Sequence, residues 1–124
     1  VGLTYRVRNG SREIIDELNK SDYNLLFIKD RFASQNEYYK SLETLLLDNR
    51  AILPGVLFKE LHDLKHCFSY FNSNLHLLIS GKVSSDKKKV SELIISCKET
   101  YSKIDDHYIV MTGIVQSSLG VDRQ

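Results

Sequence analysis

The sequence predicts an all-α protein, an up-and-down antiparallel bundle of three long helices, or of four if the first helix breaks near residues 19–22. Three observations predict it. Apolar residues recur at alternating spacings of four and three residues, as on the buried face of a bundle helix. The chain has 1 proline in 124 residues. Strand-like alternation extends no further than the first eight residues, VGLTYRVR.

The first helix is predicted from Ser11 to Leu53, because no glycine or proline interrupts that stretch. Pro54-Gly55 then ends it, since proline cannot continue the helical hydrogen bonding. Polar residues fill two of the inward positions, Ser21 and Gln35. The apolar inward positions are Ile14, Leu18, Leu25, Ile28, Phe32, Tyr39, Leu42 and Leu46.

The length of this first helix creates a conflict. A single rod over residues 12–48 would be about 55 Å long, against about 36 Å for the next helix, so Ile14, Ile15 and Leu18 would project uncovered. Either the chain breaks at residues 19–22, where a Ser or Asp caps the following helix and the first segment folds back as a fourth helix. Or the rod stays whole, and these three residues bind a protein partner or a second copy. Both alternatives are open from sequence.

The second helix is predicted from Val56 to Ile79 and the third after residue 84, with short connections that make neighbouring helices antiparallel. Ser80-Gly81 supplies the stop, and Ser84, Ser85 or Asp86 can cap the third helix. The inward positions of the second helix are Leu57, Leu61, Leu64, Phe68, Phe71, Leu75 and Leu78. Those of the third are Val90, Leu93, Cys97, Ile104, Met111 and Ile114, with Thr100 and His107 as polar inward residues expected to fix register.

The two cysteines are predicted at one level of the second hairpin, because Cys67 and Cys97 are equally distant from a turn centred near residue 82. They are expected either as buried thiols or as a disulfide, and a disulfide would indicate an oxidising compartment.

Charge and composition exclude several classes of function. A net charge of +1 provides no general attraction for nucleic acid. No apolar run reaches the roughly 20 residues of a membrane helix, so we expect no direct membrane insertion, although a parent protein could be membrane-anchored. The chain fits a single domain over residues 1–124. Its start at Val1 and its polar GVDRQ end lead us to expect a domain excised from a larger protein.

The segment ELHDLKH contains the residues that most invite a chemical role. His62 and His66 lie four residues apart and would share one helix face, in a pattern similar to the H-E-x-x-H motif of zinc proteases. Asp63 replaces the glutamate of that motif and no further ligand follows at a helical spacing, so we expect neither a metal nor another cofactor. The sequence also lacks a glycine-rich phosphate loop and a nucleophile elbow, which argues against an enzyme.

The residues from Phe58 to Lys65, FKELHDLK, resemble the core of histidine phosphotransfer domains, four-helix bundles in which an exposed histidine carries phosphate between signalling proteins. The resemblance implies His62 as phosphoacceptor, supported by Lys65. The chain departs from the H-x-L-K-G pattern of that family at His66, and Asn72 stands where a second glycine is usual. Histidine phosphotransfer is therefore the alternative function.

The primary expectation is a non-enzymatic interaction or sensory module of a signalling or scaffold protein. It would act by binding a protein partner or by self-association. An even number of helices would favour the sensory class, because the outer ends of the first and last helices then lie at one end of the bundle.

Overall fold

The computed structural model describes residues 2–81 and 85–119, which form four helices and contain no strand. The helices are α1 (Gly2–Leu18), α2 (Leu25–Asp48), α3 (Gly55–Ile79) and α4 (Lys87–Leu119). Each packs against the next in chain order, and α1 closes the ring by packing against α4. The all-α bundle is confirmed, with four helices rather than three. None of the described helices is both long enough and apolar enough to cross a membrane.

The break between α1 and α2 falls where the sequence allowed it, so the single-rod alternative is wrong. The capping residue is Asn24 rather than a Ser or Asp of residues 19–22. Its Oδ1 accepts hydrogen bonds from the backbone N–H groups of Leu26 and Phe27, at 3.0 and 3.2 Å. Two of the free donors at the start of α2 are thereby satisfied.

Glu17 fixes the geometry of this turn from the end of α1. Its Oε2 accepts from the backbone N–H of Asn24 at 2.7 Å, and its Oε1 from Lys20 Nζ at 3.1 Å. The hydrogen bond from Asn24, followed by the one from Lys20, lowers the pKa of the Glu17 carboxyl. The turn therefore depends on an ionised side chain as well as on the cap.

The start of α1 differs from the prediction, because the helix begins at Gly2 and not at Ser11. The strand-like alternation of the first eight residues is overridden by helical packing. Thr4, Val7 and Ser11 continue the spacing of Ile14 toward the start of the chain, and all four are buried. Two of the added inward residues are polar, which hid the periodicity.

The turns between α2 and α3 and between α3 and α4 occur at the predicted proline, glycine and capping residues. Phe58 N donates to Pro54 O at 2.9 Å as α3 begins. Past the end of α3, Gly81 has φ +80°, a left-handed conformation that L side chains rarely adopt. Asp86 Oδ1 accepts from Lys89 N at 3.1 Å and caps α4. Ser84 and the GVDRQ segment lie outside the described residues.

The core consists of two clusters stacked along the bundle. The larger is built on residues of all four helices, among them Ile14, Ile28, Phe68, Phe71, Leu75, Cys97 and Ile104. The smaller is formed by Leu42, Leu46, Leu61 and Met111. It lies at the end of the bundle where α1 begins, α4 ends and α2 turns into α3, called here the α2–α3 end.

Candidate functional site

His62 lies on the solvent-facing side of α3, with 47% of its side chain exposed. The inward positions of the helix predict this, because Leu61 and Leu64 face the core and His62 points the other way. The imidazole stacks on Phe58, with ring centroids 6.2 Å apart, and meets His66 edge-on at 4.8 Å. The histidine is therefore accessible and held among aromatic neighbours.

Lys65 extends away from α3 toward α2. Its Nζ lies 3.7 Å from Glu43 Oε2 and 5.8 Å from the centroid of the Tyr39 ring. A cavity of about 220 Å³ is lined by His62, Lys65 and Arg50, together with Glu43. The structure thus brings together the two residues that the phosphotransfer resemblance singled out, but the lysine is already paired with a carboxylate.

The predicted contact residues Ile14, Ile15 and Leu18 do not lie on the surface. Their exposed fractions are 0, 8 and 4%. The break after Leu18 folds α1 back onto α2 and α4, so the uncovered overhang that suggested a binding role does not form. These side chains belong to the core and are unavailable to a partner in the folded chain.

Exposed apolar side chains instead gather around the turn between α2 and α3. Leu47 is 73% exposed, Ile52 76% and Val56 64%, all within ten residues of chain. We call these three residues the apolar tip. Sequence reasoning missed it because it followed inward positions only. The signal was available, since large apolar residues at outward positions of both helix ends flank a short turn.

Gln35, predicted as an inward polar residue, is 1% exposed. Its Nε2 donates to Ser11 Oγ at 3.0 Å, and Ser11 Oγ donates in turn to Val7 O at 2.8 Å. Its Oε1 is buried without a hydrogen-bond partner and faces Gly10, where a Cβ would collide with it. Gln35 therefore ties α2 to α1 beside Gly10, where any larger residue would require the glutamine side chain to move.

The inward polar residues of α4 also have hydrogen-bonding partners. Thr100 Oγ1 donates to Ser96 O, one turn earlier on α4, at 2.7 Å. His107 Nδ1 lies 2.8 Å from Glu60 Oε2, joining α4 to α3. Gln35 lines a cavity between α1 and α2, and neither Thr100 nor His107 is among the lining residues of that cavity, so these positions tie helices together.

Both cysteines are free thiols. Their predicted alignment is wrong, because the hydrogen bond from Asn74 Nδ2 to Ser96 Oγ at 3.0 Å sets the register of α3 on α4. Cys97 therefore lies near the level of Ser73 and not of Cys67. Burial raises the pKa of the Cys97 thiol to about 12 and also raises that of Cys67. Neither is an activated nucleophile.

Across the two described segments, no three His, Cys, Asp or Glu side chains come together as ligands for a metal ion. Comparisons of the chain with protein families, with curated proteins and with solved structures found no match.

Proposed function

We propose that this chain is a non-enzymatic interaction module that associates with a second copy of itself through the apolar tip. The observation that supports this proposal is the exposure of Leu47, Ile52 and Val56 at one turn. When a partner removes such apolar surface from water, the complex is stabilised by about 25 cal/mol per Å² of surface buried.

The charges beside the tip favour a second copy as the partner. Asp48 ends α2 and Arg50 lies in the turn that follows it; both are exposed, and neither forms an ion pair within the described part of the chain. A two-fold symmetric contact is self-complementary, so Asp48 of one copy would meet Arg50 of the other twice. Opposite charges two positions apart at the edge of an apolar patch suit such an arrangement.

The helix count supports the sensory version of this module over a rod-like scaffold. α1 begins and α4 ends at the α2–α3 end, the same end that carries the apolar tip. A contact at the tip would therefore lie beside the outer ends of the first and last helices. Association and any movement of those ends would be coupled through the smaller core cluster.

Sedimentation equilibrium over a range of protein concentrations tests self-association. The wild type is expected to approach twice the 14.3 kDa chain mass, and the variant Leu47→Glu with Ile52→Glu to remain a monomer. The control is Leu26→Glu, which introduces one of the two negative charges of that variant at a side chain that is 76% exposed but lies at the opposite end of the bundle. A wild type that stays monomeric throughout would overturn the proposal.

A charge exchange tests the symmetry of the contact. Asp48→Arg should weaken association by placing like charges opposite each other, and adding Arg50→Asp should restore it. If the double exchange associates no better than the single one, the two residues do not face each other across a two-fold axis.

Histidine phosphotransfer through His62 is the second candidate function. The observation in its favour is that His62, Lys65 and Arg50 line one cavity, which places two cations near an accessible imidazole, with Glu43 of the same lining paired to Lys65. An imidazole nitrogen would attack the phosphorus of a receiver's aspartyl phosphate, and the aspartate carboxylate would leave. Incubation with a phosphorylated receiver domain should give acid-labile phosphate on the wild type and none on His62→Gln. An unlabelled wild type would exclude this function.

A further inference from the structure

A groove of about 500 Å³ lies between α2 and α3, away from both His62 and the apolar tip. Aromatic contacts bound it along the helices. Phe32 meets His76 at one end, with ring centroids 5.9 Å apart, and Tyr39 meets Phe68 at the other, at 6.2 Å. Its volume falls within the roughly 300–1,000 Å³ of small-molecule sites.

The groove exists because short side chains face the gap between these aromatic contacts. On α3 the gap is lined by Ser69, Asn72 and Ser73, and on α2 by Asn36. The aromatic pairs hold the two helices apart, and serine and asparagine are too short to fill the space between them. A recess lined by aromatic rings, neutral polar groups and Leu77 results.

Asn72 is the residue that points to a ligand. It is only 8% exposed, yet its Oδ1 is buried without a hydrogen-bond partner. Buried amides in folded proteins are normally satisfied, because an unmade hydrogen bond costs stability. Half a turn about the last side-chain bond exchanges the oxygen and nitrogen, so this amide can present an acceptor or a donor to the groove.

The charge of the lining restricts the class of ligand. None of the residues that line the groove is Asp, Glu, Lys or Arg. A formally charged ligand would lose hydration there without gaining an opposite charge. The aromatic walls favour a flat molecule, since rings stack or meet edge to face.

We propose that the groove binds a neutral, planar nitrogen heterocycle whose lactam or amide edge pairs with the side-chain amide of Asn72. Such an edge offers a donor and an acceptor side by side, so it can pair with the one end of the asparagine amide that faces the groove, whether that end is the oxygen or the nitrogen. Phe32, Tyr39 and His76 contact the faces and edges of the ring. This site is independent of self-association through the apolar tip.

Hypoxanthine and uracil are suitable probes, because both are neutral, planar and carry lactam edges. Titration into ¹⁵N-labelled protein should give saturable shifts of the Asn72 side-chain amide and of the backbone signals of Ser69 and Ser73. Two comparison probes define the class. p-Cresol is aromatic without an amide edge, and choline is a cation, and both are expected to bind at least tenfold more weakly.

Two variants test the residues. Asn72→Leu keeps a similar volume and removes the unpartnered amide, so the chain should remain folded and bind the lactam probes about tenfold more weakly. Ser73→Phe should fill the groove and abolish binding. The matched control is Ser102→Phe, which places the same side chain at an exposed serine of α4 outside the groove and should leave binding unchanged.

Several outcomes would overturn the proposal. No shift with either lactam probe at about 10 mM would exclude a ligand of this class at useful affinity. Equal binding of p-cresol or choline would show that the amide edge does not determine recognition. Unchanged affinity in Asn72→Leu would remove the assigned partner. If that variant fails to fold, full binding by a folded Ser73→Phe would exclude the groove.

Discussion

Replacing Gly10 by alanine should destabilise the bundle, although alanine is the better helix former. In an unconstrained helix interior the exchange would gain about 1 kcal/mol. Here the added methyl would collide with Gln35 Oε1 and lie 2.9 Å from Gln35 Cδ. Carbon atoms pack at about 3.5–4.0 Å, so the glutamine must move.

The magnitude follows from what that movement breaks. Gln35 is 1% exposed and its Nε2 donates to Ser11, so moving its side chain breaks that hydrogen bond. Losing the hydrogen bond costs about 1 kcal/mol, and forcing extra volume into a packed interior costs about 1–3 kcal/mol. These losses exceed the helical gain, and the net loss expected for Gly10→Ala is about 1–3 kcal/mol.

A double-mutant cycle measured by urea unfolding tests this explanation. In the background Gln35→Ala the methyl has room, so Gly10→Ala should now stabilise the chain by about 1 kcal/mol. The substitution is therefore expected to change sign between the two backgrounds. If Gly10→Ala has the same effect on the free energy of unfolding in both, the close approach to Gln35 does not determine the residue at position 10.

Three further results are expected. Because the Asn24 N–H and then Lys20 lower the pKa of Glu17, its stabilising effect is present above the ordinary carboxyl pKa of about 4.3 and is lost as pH falls through the lowered value. The stability difference between wild type and Glu17→Gln in urea should therefore be smaller at pH 3 than at pH 7. In a Cys67→Ala variant, Cys97 should react with a thiol reagent only as fast as the chain unfolds, because burial raises its pKa to about 12. Rapid labelling in the native state would contradict this. Ile14→Glu should abolish the helical circular dichroism signal, because it buries a charge in the core. A folded variant of reduced mass would instead restore Ile14 as a contact residue.

The sequence predicted the helical class, both ends of α3, the start of α4 and the inward positions of α3. These features depend on local periodicity, proline, glycine and capping residues. It could not decide between a rod and a break, since the spacing of Leu18 and Leu25 continues in register across the turn. The decision came from burial, because folding back covers Ile14, which a rod would expose. Tertiary packing, not local propensity, ends α1.

The start of α1 was not predictable in the same way. Gly10 is unfavourable inside a helix, and Thr4 and Ser11 are weak indicators of a buried face. Their role becomes clear only when Gln35 of α2 lies against them. The groove beside Asn72 also depends on how far α2 stands from α3, a distance that no pattern within one helix contains.

The ring of helices is completed by its most distant partners in sequence. Arg8 of α1 donates to Asp105 of α4 at 2.9 Å across 97 positions of chain. Closing so long a loop costs conformational entropy. That cost is offset only when the helices between α1 and α4 are already packed. α1 is thus expected to dock last during folding and to detach first. Its amides should exchange with deuterium sooner than those of α3, so that partial opening bares the larger core cluster while the rest of the bundle stays intact.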